Sequence, residues 1–303
     1  MSTATSVPET RHQGAGDARD QLRRTGTAQV FRDAVTRFRV ADGTSFARTL
    51  GHSSVLTLVP AVIAVIGLVT TFELPGLKSL LEDAAQSFAP GPAGSILTEA
   101  LARAKPSSGT SALFLGLAGM LLSGTVGMTQ LERAANRIYG VEEERTPRRR
   151  YGLAFALAGT VEVMLVLGLA VIVAGGSIGE GSNGSAPQGA GIWSVIRWPV
   201  GVALVALAMT IIFKVIPNRR QPQFSWLLSG TTVSVAAWVV ATVLLGLFYE
   251  HATLLGESYG PLLGIIALLV WGYATGVAVL FGLAFAAQLE AERAGERRPS
   301  RAA

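Results

Sequence analysis

Residues 258–289 read SYGPLLGIIALLVWGYATGVAVLFGLAFAAQL, a stretch of 32 residues without a charged side chain. An α-helix of roughly 20 apolar residues crosses the hydrocarbon core of a bilayer. The stretch is therefore long enough for a transmembrane helix preceded by a short non-spanning entry around residues 260–261. Within it, Gly272 and Gly276 form a GxxxG pair, which is typical of closely packed membrane helices.

Five further apolar segments precede this one, and together the six predict an all-α membrane protein, a bundle of six transmembrane helices. They are residues 55–72, 111–131, 151–179, 198–216 and 224–249. The composition agrees, because 50% of the residues are hydrophobic and 15% are charged, against about 25% charged in a typical soluble domain. An ordinary soluble enzyme is therefore not expected.

The basic residues predict the orientation of the bundle. Of the 25 Lys and Arg residues, 21 fall in the two tails and in two alternate loops. The other side of the predicted bundle carries Lys78, Arg103, Lys105 and Arg197. Cytoplasmic loops are enriched in Lys and Arg, so we expect a plasma-membrane protein with both termini cytoplasmic. The basic charge then indicates anionic membrane lipids as partners, and not nucleic acid.

The sequence divides into a membrane domain and two tails. Residues 1–28 are rich in Ser, Thr, Gly, Arg and Asp and are predicted to be a disordered cytoplasmic tail. Residues 29–293 form the membrane domain, and residues 294–303 a second cytoplasmic tail. We expect the domain to begin with an amphipathic helix on the membrane surface, whose apolar face comprises Val30, Phe31, Ala34, Val35 and Phe38.

Polar residues in or beside the predicted spans are candidates for function, because they are costly in a membrane. The candidates for a role in transport are Glu162, His52, Thr57 and Asn136. Glu162 lies near the middle of the third span, where a charge costs about 2.5–3.5 kcal/mol. Transport through a watery cavity and a satisfied structural carboxyl are both consistent with it. In the first span, a polar run that includes His52 and Thr57 predicts the inner lining of the bundle. For His52, an interhelical hydrogen bond is favoured over a proton relay.

Small residues recur at four-residue spacing in the second, fifth and sixth spans, and helix packing is favoured over a groove that opens. The sequence leaves homo-oligomer formation open. No cofactor is expected, since the chain has no cysteine and three scattered histidines. A metal site formed by Glu250, His251 and Glu257 is a weak alternative.

Four sequence elements resemble the YihY/BrkB family of inner-membrane proteins, formerly named ribonuclease BN. The first is residues 45–60, which end at Pro60. The second runs from Ala135 to Glu143 with Arg145, and it includes Asn136 and Tyr139. The third is Pro217-Asn218 with Gly230 and Trp238. The fourth combines Tyr259-Gly260, Gly264, Leu268 to Trp271, Tyr273 and Gly282.

The resemblance covers residues 29–293 and implies a transporter of a lipidic, amphipathic or envelope-related substrate. His52-Ser53 depart from two aromatic residues that are common in the family, and Leu283-Ala284 depart from a common Ala-Glu. A structural or scaffolding membrane protein is the alternative function. A ribonuclease is less favoured, because the sequence contains no recognisable phosphodiester site.

Overall fold

The computed structural model describes residues 4–9, 14–71, 99, 109–177, 190–251, 261–295 and 299. Within these residues the regular structure consists of eight α-helices. They are α1 (Ala15–Thr25), α2 (Thr27–Val40), α3 (Gly43–Thr71), α4 (Gly109–Tyr139), α5 (Pro147–Ser177), α6 (Ala190–Val215), α7 (Phe224–His251) and α8 (Pro261–Arg293).

The six long helices, α3 to α8, coincide with the six apolar segments of the sequence. By length and hydropathy, four of them are able to cross a membrane over the described residues, namely α4 and the greater part of α3, α7 and α8. Residues Pro199–Val215 of α6 form a shorter apolar stretch. Large apolar side chains are exposed along these helices, as expected for surfaces that face lipid. The prediction of an all-α membrane protein is confirmed.

The long helices close into a ring. Each packs against the next one in the chain, and α8 packs against α3. α2 lies mainly against α8, and α1 lies against α7. The ring therefore places distant parts of the chain, such as the start of α3 and the middle of α8, in direct contact.

Small residues set the spacing between the helices. A methyl group added to Gly272 would lie 2.8 Å from the carbonyl oxygen of Gly51, on α3. One added to Gly230 would lie 2.6 Å from the carbonyl oxygen of Gly282. Such glycines let backbones approach closely. The packing interpretation of the small-residue stripes is therefore confirmed at these positions.

The N-terminal region differs from its predicted disorder. Residues 15–25 form α1, whose Ala18 is buried, and residues 4–9 lie against the end of α4. Composition predicted disorder because the segment is polar, but a few buried residues and backbone hydrogen bonds attach it to the bundle. In α2, Val30, Ala34 and Phe38 are buried against protein while Phe31 is half exposed. The apolar face thus packs mainly on the bundle, and the position of α2 on the membrane surface stays a prediction.

Candidate functional site

Buried charged and polar side chains concentrate at one end of the ring, where α4, α6 and α8 finish and α5 and α7 begin. We call this region the basic end. Burying a charge is costly unless it is paired and hydrogen-bonded, so the partners of these side chains define the site. The buried charged and amide side chains of this region are Arg37, Glu132, Asn136, Arg150, Gln221, Gln288, Glu290 and Glu292.

Arg145 joins α4 to the end of α6. One terminal nitrogen lies 3.0 Å from Oε1 of the buried Glu132. The guanidinium also donates hydrogen bonds to three backbone carbonyls, at 3.1 Å to Val215, 2.7 Å to Ile216 and 3.1 Å to Pro217. The last carbonyls of a helix lack partners within it and carry partial negative charge. Arg145 therefore satisfies the end of α6 and neutralises Glu132 at the same time.

Asn136 fixes the connection between α6 and α7. Its side-chain oxygen accepts a 2.8 Å hydrogen bond from the backbone N–H of Asn218. The Asn218 side chain in turn donates to the carbonyl of Glu143 at 2.9 Å. The two sequence elements that contain Asn136 and Pro217 are therefore brought together, although about 80 residues separate them.

A second ion pair joins the same connection to α8. Arg219 bonds Glu290 through both carboxylate oxygens, at 2.9 and 3.3 Å. The two side chains are 3% and 0% exposed. The Arg219 guanidinium also lies 4.7 Å from the ring centre of the buried Tyr139. A bidentate pair stacked on an aromatic ring has a specific geometry, so it fixes α8 relative to α4.

Arg37 attaches α2 to this end. Although it lies in the amphipathic helix α2, it is 1% exposed. Its Nε donates to Oε1 of Gln288 at 3.0 Å, and a terminal nitrogen donates to the carbonyl of Ile138 at 3.0 Å. The contacts connect α2 simultaneously with α8 and α4.

Arg150 lies at the margin of the cluster. Its Nε lies 3.8 Å from Oε1 of Glu132, and one terminal nitrogen lies 3.0 Å from Oε2 of Glu144. Glu144 is exposed, and the neighbouring Arg150 guanidinium holds the pKa of its carboxyl below the ordinary value. Opposite charge favours the ionised carboxylate, so Glu144 extends the ion-pair network to the surface.

Glu162 lies away from the basic end, at the interface of α5 with α4. Its carboxyl lies so close to Gly124 of α4 that a side chain at position 124 would overlap it. Ala158, one turn before Glu162 in α5, is fully buried. The Oε2 atom is buried and has no hydrogen-bond partner in the described part of the chain. The predicted approach of a partner helix beside Ala158 and Gly159 is therefore confirmed, and that helix is α4.

The polar run in α3 includes an exposed and a half-buried position. His52 is exposed and makes no hydrogen bond to a described residue, so the favoured interhelical bond is not formed. Thr57 is half-buried and donates to the carbonyl of Ser53, one turn back in its own helix, at 2.9 Å. Such back-bonding satisfies a hydroxyl within one helix. The inner lining of the bundle stays a prediction.

The other predicted motif residues are structural contacts outside the basic end. Pro60 lies within α3, where its ring packs on Gly119. Trp271 donates through its indole N–H to the hydroxyl of Thr242 at 3.2 Å. Gly282 packs against α7. Tyr259 and Gly260 lie outside the described residues, as does Glu257 of the weak metal alternative.

Sequence reasoning missed the most buried charges of the site. Arg37 and Arg219 were counted only in the orientation signal, and Glu132 and Glu290 were not considered. A carboxylate that directly follows a long uncharged run of sequence, as in Leu131-Glu132 and Leu289-Glu290, is the signal that could have identified the two buried glutamates. Among the described residues, no three His, Asp or Glu side chains group as metal ligands.

Comparisons with known proteins agree with the resemblance seen in the sequence. A family model described as virulence factor BrkB matches residues 34–303. The ribonuclease-like protein YfkH of Bacillus subtilis is 23% identical over 83% of this chain and 92% of its own length. UPF0761 membrane proteins of Rhodospirillum rubrum and Rhodospirillum centenum are 26% and 28% identical over 87% and 88% of this chain. The chain spans 58% and 59% of those two relatives. No solved structure matches.

Proposed function

Because this chain belongs to the virulence factor BrkB family of membrane proteins, we propose that it transports a lipidic, amphipathic or envelope-related substrate. In this proposal α3 to α8 all cross the plasma membrane. The basic end faces the cytoplasm, where both termini lie. The concentration of basic residues at that end supports this orientation through the positive-inside rule.

The orientation has a direct test, because the chain contains no cysteine. A thiol introduced by Ser182→Cys is expected to react with an impermeant maleimide added to intact cells. One introduced by Ser300→Cys is expected to react only after the membrane is opened. The reverse pattern of labelling would contradict the proposed orientation.

The observation that carries the transport proposal is the Glu162 carboxyl. It lies between two membrane helices, and one of its buried oxygens lacks a partner among the described residues. An unsatisfied polar atom in this position is costly in a purely structural bundle. Such a carboxyl has a role where the helices alternate between two arrangements and water or a proton reaches the carboxyl in one of the two. No nucleotide-binding motif is present, so an ion gradient or a partner would supply the energy.

The buried ion pairs at the basic end support the same proposal. Replacing a buried pair by apolar residues is often neutral or stabilising, so such pairs are better explained by specificity or switching than by stability. Arg145–Glu132 and Arg219–Glu290 each join different helices. We propose that they hold the basic end closed, so that opening that end would require them to separate.

The experiment measures flux of a fluorescent phosphatidylglycerol in vesicles of phosphatidylethanolamine and phosphatidylglycerol, with a pH gradient. Glu162→Gln and Glu162→Leu are both expected to insert normally and to lose pH-dependent flux. Thr160→Val is the matched control, because that exposed hydroxyl bonds within its own helix. Unchanged flux in both Glu162 variants would remove this residue from the mechanism.

Two alternatives predict other results. A structural or scaffolding protein would show no flux in any variant, and Glu162→Gln would change its free energy of unfolding very little. We propose that the chain is not a ribonuclease, although the relative YfkH bears a ribonuclease-like name. Two buried carboxylates of the basic end, Glu132 and Glu290, are paired with arginines and are therefore poorly placed to bind a catalytic metal. RNA cleavage that is lost in a Glu132→Gln variant would contradict this.

Membrane lipids are the proposed partners. Arg148 and Arg149 are exposed in the first turn of α5, beside the proposed cytoplasmic surface. Juxtamembrane basic residues attract anionic lipid headgroups by about 1 kcal/mol each. We propose this contact with anionic lipids in place of nucleic-acid binding.

A further inference from the structure

Residues 4–9 form an extended segment that is docked on the basic end. The backbone N–H of Ala4 donates to the carbonyl of Arg137 at 3.2 Å, and that of Val7 donates to the carbonyl of Tyr139 at 3.0 Å. The side chains of Ala4 and Val7 are 0% and 4% exposed, whereas Ser6 between them is exposed. The two buried side chains are three positions apart, so the segment is not a regular strand with alternate residues facing the bundle; it is a docked peptide with two anchoring side chains.

Side chains of the bundle bind the backbone of this segment. Arg37 donates to the carbonyl of Thr5 at 3.0 Å. Arg219, which also holds Glu290, donates to the carbonyl of Pro8 at 3.1 Å. Main-chain hydrogen bonds give affinity for a bound peptide, and pockets for individual side chains give specificity.

Gly140 is required for this contact. Its φ of +69° lies in the left-handed region. There it ends α4 with hydrogen bonds from the Gly140 N–H to the carbonyl of Arg137 and from the Val141 N–H to the carbonyl of Asn136, as is common at helix C-termini. A methyl group added to it would also lie 2.5 Å from the Cα of Ser6. The glycine therefore serves both the helix end and the docked segment.

The surface and its occupant belong to different parts of the chain. Gly140 and Arg219 lie within residues 34–303, which match the family, whereas residues 4–9 precede that match. The segment buries two small apolar side chains, and each ordered residue costs backbone entropy. Docking of this kind is of low stability, so the segment can detach without unfolding the bundle.

We propose that the surface formed by Arg37, residues 137–140 and Arg219 is a binding site for an extended peptide with small apolar residues. Residues 4–9 of this chain are its intramolecular ligand and form a detachable plug over the buried ion pairs. The proposed function places this plug at the cytoplasmic mouth, but the docking itself does not depend on transport.

The first test labels single thiols in the full-length, otherwise cysteine-free chain with a maleimide. A thiol from Val7→Cys is expected to react at least about tenfold more slowly than one from Ser6→Cys. Adding Ala4→Asp places a charge in a fully buried position, where burial of an unpaired charge is unfavourable. It should raise the rate at position 7 to that at position 6, whereas the matched Ser6→Asp should not.

The second test uses a fluorescent peptide of residues 1–13 as the probe. The Ala4→Asp chain, whose site is vacated, is expected to bind it at least about tenfold more tightly than the unaltered chain. The peptide that itself carries Ala4→Asp should not bind. Equal labelling at positions 6 and 7 of the unaltered chain, or equal peptide binding to both chains, would overturn the proposal. Loss of flux in vesicles would bear on the proposed function alone.

Discussion

Replacing Arg145 by alanine tests whether buried charge pairing holds the basic end together. The change removes the ion pair with Glu132 and the three hydrogen bonds to the carbonyls that end α6. Those carbonyls are at a helix end, where water can replace the guanidinium. The Glu132 side chain is 2% exposed, so its charge would remain buried with a weaker partner.

The expected cost follows from that burial. Removing one partner of a buried ion pair costs about 3–5 kcal/mol, because the other charge is left uncompensated. Arg150 remains 3.8 Å from the same carboxylate and offsets part of the loss. We therefore expect Arg145→Ala to lower the free energy of unfolding by about 3 kcal/mol, at the lower end of that range.

Reversible unfolding in mixed micelles, followed by helical circular dichroism, measures this free energy. A double-mutant cycle with Glu132→Gln separates the pair from the carbonyl contacts, since contacting residues couple by about 0.5–3 kcal/mol. The double variant is expected to be less destabilised than the sum of the two single variants by at least about 1 kcal/mol.

Arg148→Ala is the matched control, because Arg148 is an exposed arginine three residues further along. Its cost should stay within about 0.5 kcal/mol. A loss below about 1 kcal/mol for Arg145→Ala, or additive losses in the cycle, would refute the argument that Arg145 neutralises a buried carboxylate.

Two further predictions concern packing and pH. Gly272→Ala would bring a methyl group to 2.8 Å from the Gly51 carbonyl oxygen, and it should lower the free energy of unfolding by about 1–3 kcal/mol through overpacking. The control Gly152→Ala adds a methyl group that meets nothing within 4 Å, so it should stabilise α5 by up to about 1 kcal/mol. Equal unfolding midpoints for the two variants would contradict this prediction. The pKa of Glu144 is lowered by Arg150, so their pairing should persist above pH 4.5 and be lost as the pH falls through the lowered pKa. Carboxyl NMR titration should show that pKa rising in Arg150→Gln, and an unchanged value would exclude Arg150 as the cause.

The long helices were predictable because their signal is local. Runs of 26 and 32 uncharged residues, such as 224–249 and 258–289, leave no other way to satisfy the backbone in lipid than an α-helix. The stripes with Gly230 and Gly272 were likewise interpreted correctly as packing surfaces. Periodicity places residues on a helix face, but it does not identify the helix that covers that face.

The site was predicted only in part, for the same reason. Asn136, Tyr139, Arg145 and Pro217 were singled out through a family resemblance, and the structure brings them into one cluster. For His52 the favoured interhelical hydrogen bond is not formed, because the sequence of one segment does not specify which of its faces the neighbouring helices cover.

The sequence by itself determined that this chain is an all-helical membrane protein with an asymmetric distribution of basic residues, since hydropathy and charge are properties of contiguous segments. Only the tertiary structure decided that α8 closes a ring with α3, that Glu132 and Glu290 are buried in ion pairs, and that a polar N-terminal segment is docked instead of disordered. Each of these depends on groups far apart in the chain, such as Arg37 and Gln288 at a separation of 251 residues. The free energy of such contacts comes from mutual burial, which exists only once the helices have packed.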